Sequence, residues 1–377
     1  MCFNLNRIQP AITLLRSITA LSRTQYQNHF PTLDKYQLYC SKRLCTSEAG
    51  DSTMNAPKLP WAKFNPCFEF TDAQKQLCLG DPNIADIIAE KTARKEFFYG
   101  IETRALSKRL TACLDFNMFL PQVPDFISIV WTRRFSEALE VTTMRNLPNI
   151  QMIPILTPHI PAMPHLTVHR VTQKDLNDFC DLNLSNVLVL RGDHFAEGQE
   201  YNYAYEAVKY LRCVRGKSLA IAVAGYPEGY TNLQVGPRDK AVDIEYLKMK
   251  IDAGANLIIT QLCYSGEKIV QFVRDARSAG ITAPILVGSV VPHSFCNYLN
   301  IERLTGVSLS PEGRGEMVQL SNDDSKVKDY FVQLMVRNIE HVLNAGLGIY
   351  GFQFFTLNHF EPIVEVLRKL CSRGIPK

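Results

Sequence analysis

Five places in this sequence set a residue able to move a proton or grip a ligand at the end of a short apolar run. Glu102 closes FFYGIE (97–102), and Arg191-Gly192-Asp193 follows VLVL (187–190). Tyr226-Pro227-Glu228-Gly229 comes just after SLAIAVA (218–224), and Thr260-Gln261 closes LIITQ (257–261). Thr356-Leu357-Asn358-His359 follows GFQFF (351–355). A positioned carboxyl can act as a general acid, while guanidinium, amide and imidazole groups donate hydrogen bonds to a bound ligand. Each residue also has a plainer reading. Glu102 can be a solvated carboxylate paired with Arg104, Arg191 and Asp193 an ion pair across a turn, and Gln261 the partner of a backbone group. Taken singly the two readings compete on equal terms; the shared placement favours a site.

The elements that must position these groups alternate from about residue 95. Strands are expected at Phe97–Glu102, Phe126–Trp131, Val187–Leu190, Ser218–Ala224, Leu257–Gln261, Pro284–Val287 and Gly351–Phe355. Most are apolar without alternation, as strands buried on both faces are. For the third strand, Ile150–Leu156 and His165–His169 both qualify, and either brings the count to eight. Helical stretches lie between them at Leu106–Leu114, Phe135–Arg145, Lys174–Leu182, Tyr203–Val214, Ala241–Ala253, Lys268–Ala279 and Lys326–Asn344. Eight strand–helix units over residues 95–377 predict an α/β fold of the (β/α)8 TIM-barrel type, in which chemistry sits at the carboxyl ends of the strands. No Gly-x-Gly-x-x-Gly follows a strand, which weakens an open dinucleotide-binding sheet. The stretch Asn297–Ser325, with Pro311, Gly313 and Gly315, reads as a long loop: either a cover for the barrel mouth or a tolerated surface insertion.

Composition narrows the classes further. The chain has 377 residues, 46% of them hydrophobic and 21% charged, ordinary values for a globular protein. Eleven cysteines, an odd number at irregular spacing, argue for reduced thiols rather than a disulfide framework. No apolar run is long enough to span a bilayer. Residues 1–53 carry +3 of the net +4, leaving a nearly neutral body that gives no electrostatic reason to expect nucleic acid. Residues 1–33 contain spaced arginines and no Asp or Glu, a composition that suits a mitochondrial transit peptide. A tail with no address, and a cytoplasmic protein, is the alternative, and a start at Met54 would remove the segment. The expected organisation is therefore a transit peptide or tail at 1–53, a lead-in at 54–94 and the barrel at 95–377.

VLVLRGD (187–193), AVAGYPEG (222–229), KIDAGANLIITQ (250–261) and FQFFTLN (352–358), in this order and spacing, resemble the methylenetetrahydrofolate reductase family. The resemblance covers about residues 90–370. It implies a catalytic barrel without the adenosylmethionine-binding regulatory domain of the longer animal-type enzymes, with FAD at the mouth and a folate stacked on the flavin. By motif, the FAD contacts would be His165, Leu190, Arg191, Gly192, Tyr203, Ala204, Tyr226, Asp243 and Lys250. Asp193 would face the pyrimidine edge of the flavin and tune it. Gln261 would hold the pterin, Phe295 would lie where the family stacks a nicotinamide or folate ring, and Glu102 would be the catalytic glutamate. The implied reaction reduces 5,10-methylenetetrahydrofolate to 5-methyltetrahydrofolate with NAD(P)H, in one-carbon metabolism.

The sequence departs from the family pattern at several points. Thr103-Arg104-Ala105-Leu106 replaces Phe-Phe-Pro-Pro, Tyr230 a histidine, Val130 a threonine and Phe355 a tyrosine. His359 replaces an arginine beside the folate, and Val287-Gly288 stands for Pro-Gly. These losses keep two rivals in play: a non-catalytic barrel that binds flavin or folate in a regulatory role, and a flavin reductase acting on another carbon–nitrogen substrate. The sequence does not choose NADH over NADPH, nor a monomer over a homo-oligomer.

Overall fold

The computed structural model describes residues 67–104, 113–131, 144–192, 196–232, 236–237 and 239–375. Eight strands form the wall of a barrel: β1 (Phe98–Thr103), β2 (Phe126–Ile129), β3 (Ala162–Thr167), β4 (Asn186–Leu190), β5 (Ala220–Gly225), β6 (Leu257–Thr260), β7 (Ile285–Ser289) and β8 (Gly351–Phe354). Each pairs in parallel with its neighbours in chain order, and β8 closes onto β1. Nearly every strand residue is buried, because helices cover the outside and side chains fill the inside. This explains the unbroken apolar runs.

Phe98, Phe126, Met163, Leu188, Ala222, Leu257, Ile259 and Leu286 meet in one cluster, joined by Ile84 and Ile88 of α1 (Ile84–Arg94). Asn186 fixes which end this helix closes. It is the first residue of β4, and its Oδ1 accepts from Ile84 N–H at 2.7 Å. Part of the expected lead-in is thus a plug at the amino ends of the strands, leaving the carboxyl ends as the mouth.

The third strand is Ala162–Thr167, at the His165 alternative, and Ile150–Leu156 is helical. That segment belongs to α2 (Pro148–Leu156), where six of nine residues are buried and Pro148 starts the first turn. A helix with so little polar face lacks the 3.6-residue signature and reads like a buried strand. The expected loop at 297–325 is also corrected. It holds most of α7 (Phe295–Thr305) and all of α8 (Pro311–Leu320). Of the loop signals read there, Pro311 is a helix-start signal, while Gly313 and Gly315 lie inside α8. Gly306 (φ 70°) ends α7, and Pro311 opens α8 behind Ser310, whose side chain caps Gly313 N–H.

Helices α3 (Gln173–Cys180), α4 (Ala204–Arg215), α5 (Lys240–Asp252), α6 (Gly266–Ser278) and α9 (Asp324–Asn344) stand where expected, and α10 (Glu361–Ser372) closes the barrel. Most of the expected helix 106–114 lies outside the described residues, and its last residues, Cys113 and Leu114, belong to a short strand paired with Cys67–Glu69. Of the expected helix 135–145, residues 135–143 also lie outside them, and Met144–Asn146 is a single 3-10 turn. Residues 1–53 lie outside them too. Cys78, Cys180, Cys213, Cys263 and Cys371 are in no disulfide, but Cys296 is disulfide-bonded, which corrects the all-reduced expectation. Among the described residues no helix is long and apolar enough to cross a membrane.

Candidate active site at the barrel mouth

Glu102 is the fifth residue of β1 and is only 9% exposed. It forms no ion pair with Arg104, and its carboxyl has no hydrogen-bond partner among the described residues. The reading as a solvated, paired carboxylate therefore fails. Burial pushes its pKa up to about 7, with the Arg104 charge pulling weakly the other way. The Glu102 backbone, not its carboxyl, is fastened from the loop after β8: Thr356 Oγ1 donates to Glu102 O at 2.5 Å. Asn358 fastens the next residues, its Oδ1 accepting from Arg104 N–H at 2.9 Å.

Beside Glu102 lies a polar pair that sequence reasoning missed. Ser128 is the register partner of Glu102, and its Oγ accepts from Gln353 Nε2 at 3.0 Å. Gln353 Oε1 is buried without a partner. Two glycines make room for this amide. Gly100 and Gly288 are the register partners of Gln353, and a Cβ on Gly100 would lie 2.5 Å from Oε1. A serine inside FISI and a glutamine inside GFQFF were the available signals.

Across the mouth, between β4 and β5, seven of the expected cofactor residues line one pocket: Leu190, Arg191, Tyr203, Ala204, Tyr226, Asp243 and Lys250. Tyr205, Tyr230 and Tyr246 line it as well and were not foreseen. The Arg191 guanidinium lies between two rings, 5.3 Å from Tyr203 and 5.7 Å from Tyr230; its expected ion-pair partner in the turn falls outside the described residues. Tyr203 also stacks on Tyr246 at 5.1 Å. Lys250 Nζ donates to Ala224 O at 2.6 Å and sits 5.4 Å from the Tyr226 ring. Asp243 Oδ2 accepts from Tyr230 N–H at 2.5 Å. Asp243 and Lys250 lie two turns apart on α5 and are both buried, although the helix is otherwise largely polar.

The pocket also receives the start of α4, where Glu206 Oε2 caps the N–H groups of Asn202 (2.6 Å) and Tyr203 (2.9 Å) and leaves Ala204 at the wall. Two cations, aromatic walls and a helix N-terminus suit a ligand carrying both phosphates and flat rings. By these observations the residues present fit FAD.

The other expected residues are placed as follows. His165, on β3, pairs in register with Leu188 one step below the pocket wall. It is buried, its Nε2 lacks a partner, and burial lowers its pKa to about 3, so the ring is neutral. Gly192 (φ 87°) follows the pocket residue Arg191. A Cβ there would meet Thr167 Cγ2 at 2.4 Å, so the turn out of β4 requires glycine. Asp193 lies outside the described residues. Gln261 directly follows β6, and its Oε1 accepts from the adjacent Leu262 N–H at 2.9 Å, as the plainer reading expected. Phe295 opens α7 but is buried, its ring 6.4 Å from Tyr298. His359 faces His293, with ring centroids 4.2 Å apart.

A closed parallel barrel plugged at one end, with a buried carboxyl pushed up to about 7 and a cationic, tyrosine-walled pocket at the other, defines a (β/α)8 barrel with the layout of an enzyme. The methylenetetrahydrofolate reductase family model matches residues 98–371, and the chain belongs to that family. A probable NADH-type methylenetetrahydrofolate reductase of Oryza sativa subsp. japonica is 28% identical over 67% of this chain and 45% of its own length. A probable NADPH-type one of Caenorhabditis elegans is 31% identical over 53% of this chain and 30% of its own. The chain thus spans less than half the length of the curated relatives it matches. Among solved structures, a protein of Clostridium thermocellum described as binding two copies of 5-methyl-5,6,7,8-tetrahydrofolic acid superposes with a TM-score of 0.50. The match covers 76% of this chain and 99% of that one, and at 15% identity it shows the fold alone.

Proposed function

We propose that this barrel is an FAD-dependent reductase that converts 5,10-methylenetetrahydrofolate to 5-methyltetrahydrofolate with NAD(P)H. The observation that carries the reading is Glu102: a buried carboxyl with no partner, at the end of β1, titrating at about 7. A general acid works best when its pKa lies near the working pH. Opening the methylene bridge leaves electrons on a folate nitrogen, and a proton delivered there makes that nitrogen a better leaving group. Glu102 is the group placed to hold and give that proton.

FAD, when bound, would supply hydride transfer between the nicotinamide and the one-carbon unit. The residues that would hold it are Arg191 and Lys250 for anionic oxygens, Asp243 as acceptor for hydroxyls, and Tyr203 and Tyr226 as ring walls. Asp193, adjacent to this pocket in sequence, is proposed to face the flavin's pyrimidine edge, and Gln261 to hold the pterin through the amide Nε2 left over from its bond to Leu262. Residues 1–53 are proposed to direct the chain to mitochondria, with the barrel as a separate unit behind them.

The test is product analysis. Purified protein supplied with FAD, 5,10-methylenetetrahydrofolate and either NADH or NADPH should form 5-methyltetrahydrofolate with at least one of the two. Nucleotide oxidation without a folate product would favour another carbon–nitrogen substrate. Flavin or folate binding with no turnover would favour the regulatory barrel.

A further inference from the structure

The wall beside Glu102 carries a hydrogen-bond acceptor that the proposed chemistry has not used. The interior cluster takes Phe98 from β1, Phe126 from β2 and Leu286 from β7, with Phe355, just after β8, packed against it. Side chains alternate along a strand, so Glu102, Ser128 and Gln353 face the same interior. Gln353 is fully buried. Its Nε2 donates to Ser128 Oγ at 3.0 Å, and its Oε1 has no donor. An amide oxygen buried this deeply is ordinarily given one.

The flanking strands leave one candidate. The register partner of Gln353 on β7 is Gly288 and on β1 is Gly100, and neither has a side chain. Along β8 the inward neighbours are Gly351 and Phe355, which have nothing to donate. The next inward residue of β1 is Glu102, which is also the register partner of Ser128, the residue that holds the amide. A Cβ on Gly100 would lie 2.5 Å from Gln353 Oε1, so this oxygen rests against the β1 backbone one inward step below Glu102. Among these side chains the protonated carboxyl is the one that can supply the missing hydrogen.

The orientation of the amide decides what it does. With Nε2 committed to Ser128, an acceptor alone is offered towards Glu102, and an acceptor serves the neutral acid and repels the carboxylate. The reverse orientation would offer N–H groups and favour the carboxylate. Among the described residues Arg104 is the charged group that acts on Glu102, and it favours the carboxylate. His165 on β3 is neutral, and Ser128 on β2 and Gln353 on β8 carry no charge. Burial favours the neutral acid, and the amide oxygen works in the same direction.

We propose that Gln353, its amide held by Ser128, is a positioning residue for Glu102: its Oε1 accepts the carboxylic hydrogen, directly or through one water, and keeps the acid loaded until it is used. This deepens the reading of Glu102 as the general acid and rests on it. The amide makes and breaks no covalent bond. The proton passes from Glu102 to the folate nitrogen, and the carboxylate then faces an acceptor, which favours recapture of a proton from solvent.

The experiment is infrared difference spectroscopy of the purified full chain from about pH 5 to about pH 9, roughly two units either side of the Glu102 midpoint. The Glu102→Gln spectrum identifies the carboxyl band, and neither folate nor nicotinamide is needed. The expected result is a hydrogen-bonded carboxyl band in wild type that moves to higher frequency in Gln353→Met, where a side chain of similar length is only a weak acceptor. Ser128→Ala frees the amide to turn Nε2 towards the carboxyl, so the titration midpoint should fall by on the order of one pH unit. Ser128→Thr keeps the hydroxyl and should hold the midpoint at its wild-type position. In the folate half-reaction the alkaline limb of the rate profile should move with the midpoint. Denaturant titration checks that each variant is folded, and if Gln353→Met does not fold the two serine variants carry the test. A band unmoved in Gln353→Met, or a midpoint unchanged in Ser128→Ala, overturns the positioning role and leaves Glu102 as the acid. A wild-type spectrum with no Glu102 carboxyl titrating in this range overturns both.

Discussion

Replacing Glu102 by glutamine should make the protein more stable and the folate reaction slower, and both effects follow from one observation. Burial raises this carboxyl from 4.5 to about 7, equivalent to about 3 kcal/mol of discrimination against the charged form. Below pH 4.5 the carboxyl is protonated in folded and unfolded chains alike, and nothing is lost. As pH rises towards 7 the unfolded chain gives up its proton while the folded one retains it, and the native state is progressively disfavoured. Above about 7 the whole penalty is present. Glutamine carries no charge to bury, so Glu102→Gln should unfold at higher denaturant than wild type at pH 8, by up to about 3 kcal/mol, and the gap should close near pH 4.5. The same change removes the acidic proton. Reoxidation by 5,10-methylenetetrahydrofolate should slow by ~10² or more, while reduction by NAD(P)H should proceed unchanged. In wild type, the folate half-reaction should lose rate above about pH 7, where the acid is ionised. Denaturant titrations at several pH values and stopped-flow traces of the two half-reactions measure these effects. Equal reoxidation rates in mutant and wild type, or no pH-dependent stability gain, would refute the reasoning.

Arg191→Ala should weaken retention of FAD, read as free flavin released on gel filtration, and Arg191→Lys should restore it only in part, because an ammonium does not reproduce the flat guanidinium held between Tyr203 and Tyr230. Gly288→Ala should destabilise the barrel severely, since its Cβ would sit 1.9 Å from Thr260 O, and a loss of 1 kcal/mol or less in denaturant titration would contradict that close approach. A fluorescent reporter fused behind residues 1–53 should locate to mitochondria; a diffuse cytosolic signal would remove the targeting proposal and leave the barrel untouched.

The barrel was legible because strands buried on both faces write their own signature. VLVL and LII (257–259) are apolar throughout, and the polar residues that end such runs mark the mouth. The pattern failed where burial erased the period. α2 buries most of its surface, so PNIQMIPIL lacks the polar face that distinguishes a helix from a strand. α8 was hidden by Pro311, Gly313 and Gly315, which read as loop residues although Pro311 opens the helix and both glycines lie within it, and the same reading swept in most of α7.

For the site, residues adjacent to strand ends were within reach, as Arg191 and Glu102 show. Groups assembled from distant segments were not. Tyr230 and Tyr246 reach the Arg191 pocket from the β5 loop and α5, and Ser128 meets Gln353 across 225 residues of chain. No local spacing encodes such meetings; they arise only when the barrel closes. Phe295 shows the converse, since a residue marked for ring stacking is packed against Tyr298 at the start of α7.

The most direct test of the central claim is an anaerobic absorbance titration of the purified, FAD-supplied protein. The account predicts a protein-bound flavin band that NADH or NADPH bleaches and that 5,10-methylenetetrahydrofolate restores, with one 5-methyltetrahydrofolate formed per flavin reoxidised. A protein that takes up no FAD, or a bleached flavin that oxygen restores and the folate does not, would contradict it.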